Sequence, residues 1–248
     1  MLLMEEVEKY LYYCKFQKEL DDKTIRAYRI DIQQFIQLVG KENLDKEVLN
    51  KYLLYLHCTY KQKTVKRKIA SVKAFFHYME EEEIIEINPF HKVKTKFKEE
   101  IVLPKIIPRD VIEQLLSHLY RKETTQDNSE WRRKIILRDI AVIEILFSTG
   151  LRISELCNLQ SKYVDLHNGV LCIQGKGKKE RYIQIGNNEV LSILNAYKSC
   201  FEEEIEQQGY FFVNRYGNRL SEQSARNMIH KYAHEIKADT NITPHMFR

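Results

Sequence analysis

The sequence predicts a mainly α-helical protein of two helical domains, with one small antiparallel hairpin in the second. Three observations carry this prediction. Apolar side chains recur at helical spacing through the first 80 residues and again from Asp110. Between those stretches, around "NPFHKVKTKFKEE" (88–100), the periodicity stops. Finally, "GVLCIQ" (169–174) and "RYIQI" (181–185) are short β-branched runs separated by "GKGKKE", the pattern of a hairpin with a glycine-bearing turn.

Val7, Leu11 and Cys14 mark a first helix, and Ile25, Tyr28, Ile32, Phe35, Ile36 and Val39 a second. Val48, Leu49, Tyr52, Leu53 and Leu56 mark a third helix, with Asp45 as its N-cap. Val65, Ile69, Val72, Phe76 and Met79 mark a fourth, with Thr64 as its N-cap. Four helices with short polar loops make a bundle over residues 1–90. Residues 91–104, in which Lys92, Lys94, Lys96 and Lys98 alternate with other residues, read as an extended basic linker or as an edge strand. The second domain, 105–248, opens with "DVIEQLLSHL" and continues with an apolar helix from about Arg132 to Ser148, closed by Gly150. After the hairpin come helices near 188–207 and 222–238. At the end, Thr243 and Pro244 suit the N-cap and first position of one more turn.

Composition narrows the function classes. With 44% hydrophobic and 30% charged residues, and no apolar run near the ~20 residues of a membrane span, the chain reads as a soluble protein with no membrane partner. The acidic start lacks the basic n-region of a secretory signal. Cys14, Cys58, Cys157, Cys172 and Cys200 are odd in number and never spaced Cys-x-x-Cys, so they read as reduced thiols of a cytoplasmic protein and not as a zinc site. Of the net charge of +5, most sits early: residues 1–98 hold 19 basic against 15 acidic side chains, residues 99–248 hold 21 against 20. "YKQKTVKRKIASVK" (60–73) holds six basic residues and no acid, which suits a polyanion and equally suits a solvated helix face.

Four pieces point to phosphate chemistry. "STGLRISEL" (148–156) puts Arg152 just past a glycine break at the start of a helix, where its planar fork can meet an anion. "IQGKGKKER" (173–181) exposes Lys176 at a hairpin tip. His245 and Arg248, spaced i, i+3, share a helix face. Each piece alone is weak. "GKGKK" lacks the G-x-x-x-x-G-K-[ST] of a nucleotide-binding loop, and His230 and His234 have no evident third metal ligand.

In this order, "TGLRISEL", a lysine 24 residues after Arg152, and a closing "HMFR" resemble the tyrosine recombinase (phage integrase) family, especially Xer-like and transposon-borne integrases. "TIRAYRIDIQQFIQLVG" and "KRKIASVKAFFHYMEEEEIIEINPF" are similar to its SAM-like, core-binding N-terminal domain, and "RDIAVIEILFSTGLRISEL" through "TPHMFR" to its catalytic domain. The resemblance implies a site-specific DNA recombinase that cuts and rejoins strands through a 3′-phosphotyrosyl bond. It implies that Arg152 and Arg248 clamp the scissile phosphate, that Lys176 protonates the leaving 5′ oxygen, and that His245 assists proton transfer. Glu155 matches the family's supporting acid, and equally reads as a helix-stabilising carboxylate. Lys63, Thr64, Lys66, Arg67 and Lys73 are the expected DNA contacts of the first domain. The partners implied are duplex DNA and further copies of the chain in a tetrameric synapse. The implied location is the cytoplasm of a prokaryote, at the nucleoid. No cofactor or metal is implied, because two guanidiniums take the place of a cation.

The family pattern continues past its second arginine to the attacking tyrosine. None of the 15 tyrosines here follows Arg248. Tyr232 and Tyr216 precede the motif and read as packing residues. The sequence therefore suggests a recombinase cut short before its nucleophile, and leaves open a decoy or regulator that binds DNA without cutting it. Met246 where the family usually has Leu is a volume-conserving departure.

Overall fold

The computed structural model describes residues 2–40, 44–95, 103, 105–125, 129–175 and 179–248. It divides into two compact units, Met1–Ile101 and Val102–Arg248.

The first unit is the expected four-helix bundle: α1 (Leu2–Phe16), α2 (Asp22–Val39), α3 (Lys46–Thr59) and α4 (Gln62–Glu81). Asp21 caps α2 by accepting from the Thr24 N–H at 2.8 Å, and Asp45 caps α3 by accepting from the N–H groups of Glu47 and Val48. The cap expected at Thr64 is wrong. The helix begins two residues earlier, the cap position falls on Lys61, and no side chain bonds the first turn there. The bundle core is aromatic. The Phe35 ring meets Tyr52 and Phe76 edge-on, with centroids 4.8 and 5.6 Å away.

Phe90 extends that core. It is buried against Phe76 and Phe35 by a 3₁₀ turn, Pro89–Lys92, which is capped by Asn88. His91 and Lys92 therefore belong to this turn and not to an extended linker, because Phe90 anchors the chain there. Residues 96–102 and 104 of the expected linker lie outside the described residues. One charged cluster is built into the bundle. Asp31 of α2 is fully buried and accepts from Lys68 Nζ at 3.0 Å and Ser71 Oγ at 2.9 Å, and Arg67 also donates to it.

The second unit comprises α5 (Arg109–Thr124), α6 (Glu130–Thr149), α7 (Ile153–Cys157), β1 (Val164–Asp165), β2 (Val170–Gln174), β3 (Glu180–Gln184), α8 (Asn188–Cys200), α9 (Glu202–Gln208) and α10 (Glu222–Glu235). The apolar helix α6 is buried on nearly every side from Ile136 to Leu146, the pattern of a central helix. Of the three charges inside that span, Arg138 and Asp139 pair with each other, and Glu144 accepts from the Tyr120 hydroxyl at 2.8 Å. Tyr232 of α10 also donates to Asp139 at 2.8 Å. Tyr232 is thus a packing residue as expected. Tyr216 is not: it stands 71% exposed in a turn between α9 and α10, its ring under the Arg215 guanidinium.

The strands form one antiparallel sheet in the order β1-β2-β3, with Leu171 opposite Ile183 and Ile173 opposite Arg181. The two-residue β1 is too short for any sequence pattern to reveal. The single helix expected over 188–207 breaks at buried Phe201, which takes φ −121° between α8 and α9. At the end, Pro244–Phe247 is a 3₁₀ turn, and Thr243 holds the cap position, its carbonyl accepting from the Met246 N–H at 2.9 Å and its side chain making no cap bond. Among the described residues no helix is long and apolar enough to cross a membrane.

Candidate functional site

The site is built on a corner. Gly150 ends α6 in the left-handed conformation, φ +61°, its N–H bonded to the Leu146 carbonyl, a geometry that glycine adopts without penalty. Fully buried Leu151 then pins the chain, and Arg152 follows in extended conformation as the cap residue of α7. A β-carbon on Gly150 would lie 3.7 Å from Arg248 Cγ and 4.0 Å from its Cα. The final arginine thus lies against the corner two residues before Arg152, and the two arginines, 96 positions apart in the chain, share one place in the fold.

The 3₁₀ turn presents the chain's last residues. Pro244, Met246 and Phe247 are buried while His245 and Arg248 are exposed. Three residues per turn brings positions i and i+3 into line, so these two side chains emerge on one side. The Ile107 N–H donates to the Met246 carbonyl at 3.3 Å, which fixes this turn to the segment leading into α5. Met246 fills the expected leucine position as a buried apolar side chain.

Arg152 is half-exposed and engages Glu155, whose side chain is 7% exposed. Arg152 Nη1 donates to Glu155 Oε1 at 2.9 Å, and its backbone N–H donates to Oε2 at 2.8 Å. Glu155 thus bonds both the start of α7 and the Arg152 side chain. Arg181 of β3 also donates to it, Nη1 to Oε1 at 2.9 Å and Nη2 to Oε2 at 2.8 Å. Burial alone would raise the Glu155 carboxyl. The hydrogen bonds from Arg181 and Arg152 outweigh that and hold it at about 2. The helix α7 has only five residues, so positive potential here comes from guanidiniums and little from a helix dipole.

Arg152, Ser154, Glu155, Asn158, Gln174 and Gly175 line a recess of about 410 Å³ between α7 and β2. Lys176, the proposed acid, lies outside the described residues. The hairpin bearing it is closed by a 2.7 Å bond from the Gly175 N–H to the Lys179 carbonyl. A larger recess of about 570 Å³ between α5, α6 and α8 carries Glu113, Glu144 and Glu189, carboxylates that would repel a phosphate.

Sequence reasoning missed Arg181. The signal was present in the strand pattern. Arg181 occupies the register of Ile173 and Ile183, the face turned to the core, and a charge there requires a partner. His230 and His234 gain no third ligand, and among the described residues no group of three His, Cys, Asp or Glu side chains could hold a metal ion.

In the first unit, Lys63, Lys66, Arg67 and Lys73 are exposed on α4, with exposed Ala70 among them. Thr64 is half-buried and stands off that face. Lys68 points inward to Asp31, and Arg67 is divided between the surface and the same carboxylate. Lys73 Nζ donates to Thr95 Oγ1 at 3.2 Å. Unlike α2 and α3, α4 starts with no acidic residue and no side-chain cap, and with cations where a helix favours negative charge. An anion at that end would relieve both deficits.

The sequence matches the Phage integrase family over residues 105–248 and the phage integrase N-terminal SAM-like domain over residues 7–83. A tyrosine recombinase of Agathobacter rectalis is 49% identical over 249 residues, covering 99% of this chain and 81% of the relative. A tyrosine recombinase XerC of Thermodesulfovibrio yellowstonii is 30% identical over 254 residues, covering 98% and 79%. Among solved structures, the fold is similar to a lambda integrase dimer bound to a COC′ core site, with a TM-score of 0.74 at 14% identity over 99% of this chain and 67% of that one. It is also similar to XerH recombinase bound to its difH substrate before cleavage, with a TM-score of 0.71 at 19% identity over 97% and 70%. At these identities the solved structures establish the fold alone.

Proposed function

The chain belongs to the phage integrase family, and from that premise we propose that it acts in site-specific DNA recombination, binding duplex DNA and holding one phosphodiester for cleavage. The observation that carries this reading is the packing of Arg248 on Gly150 beside Arg152. Two guanidiniums at one corner offer planar donors to the non-bridging oxygens and offset the charge that builds in a pentacoordinate transition state. In this reading His245, on the exposed side with Arg248, moves a proton at the phosphate or nucleophile, and Lys176 protonates the leaving 5′ oxygen. Glu155 orients Arg152. The reading requires no metal or cofactor, since the guanidiniums supply the positive charge. Assembly of several copies on DNA belongs to the same proposal.

On the first unit, Lys63 and Lys66 near the start of α4 and Lys73 further along its exposed face would meet phosphates, with a contribution from Arg67. Such contacts release counterions. Lys63→Ala combined with Lys66→Ala is expected to weaken binding of any duplex and to lower the slope of log affinity against log salt by about two. A slope equal to that of the parent would remove α4 from the interface.

The test of the whole reading uses a suicide DNA substrate and a denaturing gel. In the family a tyrosine attacks the phosphate, and covalent strand transfer cannot proceed without it. Residues 1–248 alone are expected to bind DNA without a covalent adduct. Joined after Arg248 to a segment that carries the family's tyrosine, they are expected to form one. Binding without an adduct from the extended polypeptide would favour a decoy or regulator. An adduct from residues 1–248 alone, lost on mutating an internal tyrosine, would overturn the nucleophile assignment.

A further inference from the structure

Arg181 has no role in the reading above, yet its contacts are the most constrained at the site. It stands on β3 opposite Ile173, so its side chain leaves the sheet on the core side and meets Glu155 there. Both of its terminal nitrogens are used, one on each carboxylate oxygen. Arg152 reaches the same two oxygens with its Nη1 and its backbone N–H. Four donors thus converge on a group with about four acceptor positions, and Glu155 is saturated.

We propose that Arg181 is a positioning residue that, by gripping both oxygens of Glu155, sets where the Arg152 guanidinium stands and leaves it free to take a phosphate. The inference rests on reading Arg152 as a phosphate ligand. Its physical content is competition. A carboxylate with one guanidinium partner forms a two-point pair with it, which here would draw Arg152 back onto Glu155 and away from DNA. With Arg181 already in the two-point position, Arg152 gives Glu155 only one side-chain N–H. Two guanidiniums on one carboxylate also leave net positive charge facing the recess. Because Arg181 is on the hairpin and Glu155 on α7, the same contact ties the hairpin to the helix that carries Arg152. A lysine at 181 would keep the charge but could not span both oxygens.

The test is the salt dependence of binding to a short duplex of arbitrary sequence, with circular dichroism confirming the fold of each variant. Arg152→Ala is expected to lower the log–log slope by about 0.9, one phosphate contact. Arg181→Ala and Arg181→Lys are each expected to lower it by a similar amount, and the Arg152→Ala/Arg181→Ala double variant no further than Arg152→Ala alone. A double variant losing twice as much would make Arg181 a DNA contact in its own right and overturn the proposal. So would an Arg181→Lys variant indistinguishable from the parent. If Arg152→Ala itself leaves the slope unchanged, the phosphate reading fails, and Arg181 is judged on Glu155 directly. Carbon NMR titration is expected to find that carboxyl near about 2 in the parent and displaced toward the ordinary 4.5 in Arg181→Lys, which serves if the alanine variant does not fold. An unmoved Glu155 would overturn the positioning role.

Discussion

Arg152→Ala is expected to slow strand cleavage by at least about 10²–10³-fold, the loss seen when one preorganised donor to a developing oxyanion is removed. The measurement is single-turnover cleavage by the polypeptide extended past Arg248, on a suicide substrate at saturating DNA. The fold should survive the substitution. The Arg152 backbone N–H keeps its bond to Glu155 at 2.8 Å, Arg181 still neutralises that carboxylate, and the lost side chain is 49% exposed. The loss should therefore fall on the rate and little on affinity, because one phosphate contact among many is a small part of binding. Arg152→Lys should recover only part of the rate, since an ammonium cannot present two parallel donors. Cleavage by Arg152→Ala at the parental rate would remove Arg152 from the phosphate site.

The second large effect is on stability. Asp31→Ala is expected to destabilise the first unit by about 3–5 kcal/mol, the cost of removing one member of a buried ion pair. Lys68 is 4% exposed and would be left charged in the bundle with Gln34 as its remaining side-chain acceptor. Its 4.9 Å approach to the Tyr60 ring offsets little of that loss. Arg67 and Ser71 would lose a partner as well. Replacing Asp31 and Lys68 together by apolar residues of similar volume should cost far less, because no buried charge is left unpaired and Arg67 is 46% exposed. Trp131, the single tryptophan, lies in the second unit. The transition should accordingly be followed by amide exchange in α2 and α4. A loss below about 1 kcal/mol, the range of a surface pair, would show that water reaches Asp31.

Much of the fold was legible because local patterns carry it. Ile32, Phe35 and Val39 repeat at the helical period, and Asp45 is a cap by its own chemistry. Gly150 ends α6 because a left-handed residue is needed there. The errors fell where another contact overrides the local pattern. Thr64 looked like a cap, but its N–H and that of Val65 both bond the Lys61 carbonyl, so the helix already contains it. His91 and Lys92 looked extended, but Phe90 pulls the chain into the bundle. Tyr216 looked like packing because aromatic residues usually are, yet its turn leaves the ring outside.

The sequence by itself determined the helical class, the two-part organisation and the family, because each rests on residue order: periodicity, a break in it, and three motifs in a fixed sequence. Tertiary structure alone decided which charges face one another. Glu155 meets Arg181 because α7 packs beside β3, and Asp31 meets Lys68 because α2 packs on α4. Arg248 lies on Gly150, two residues before Arg152, because a buried Met246 and Phe247 seat the last turn against the end of α6. These contacts join residues 26, 37 and 98 positions apart. No local propensity encodes them. They follow from which apolar faces bury against each other, and the charges beside those faces are carried along.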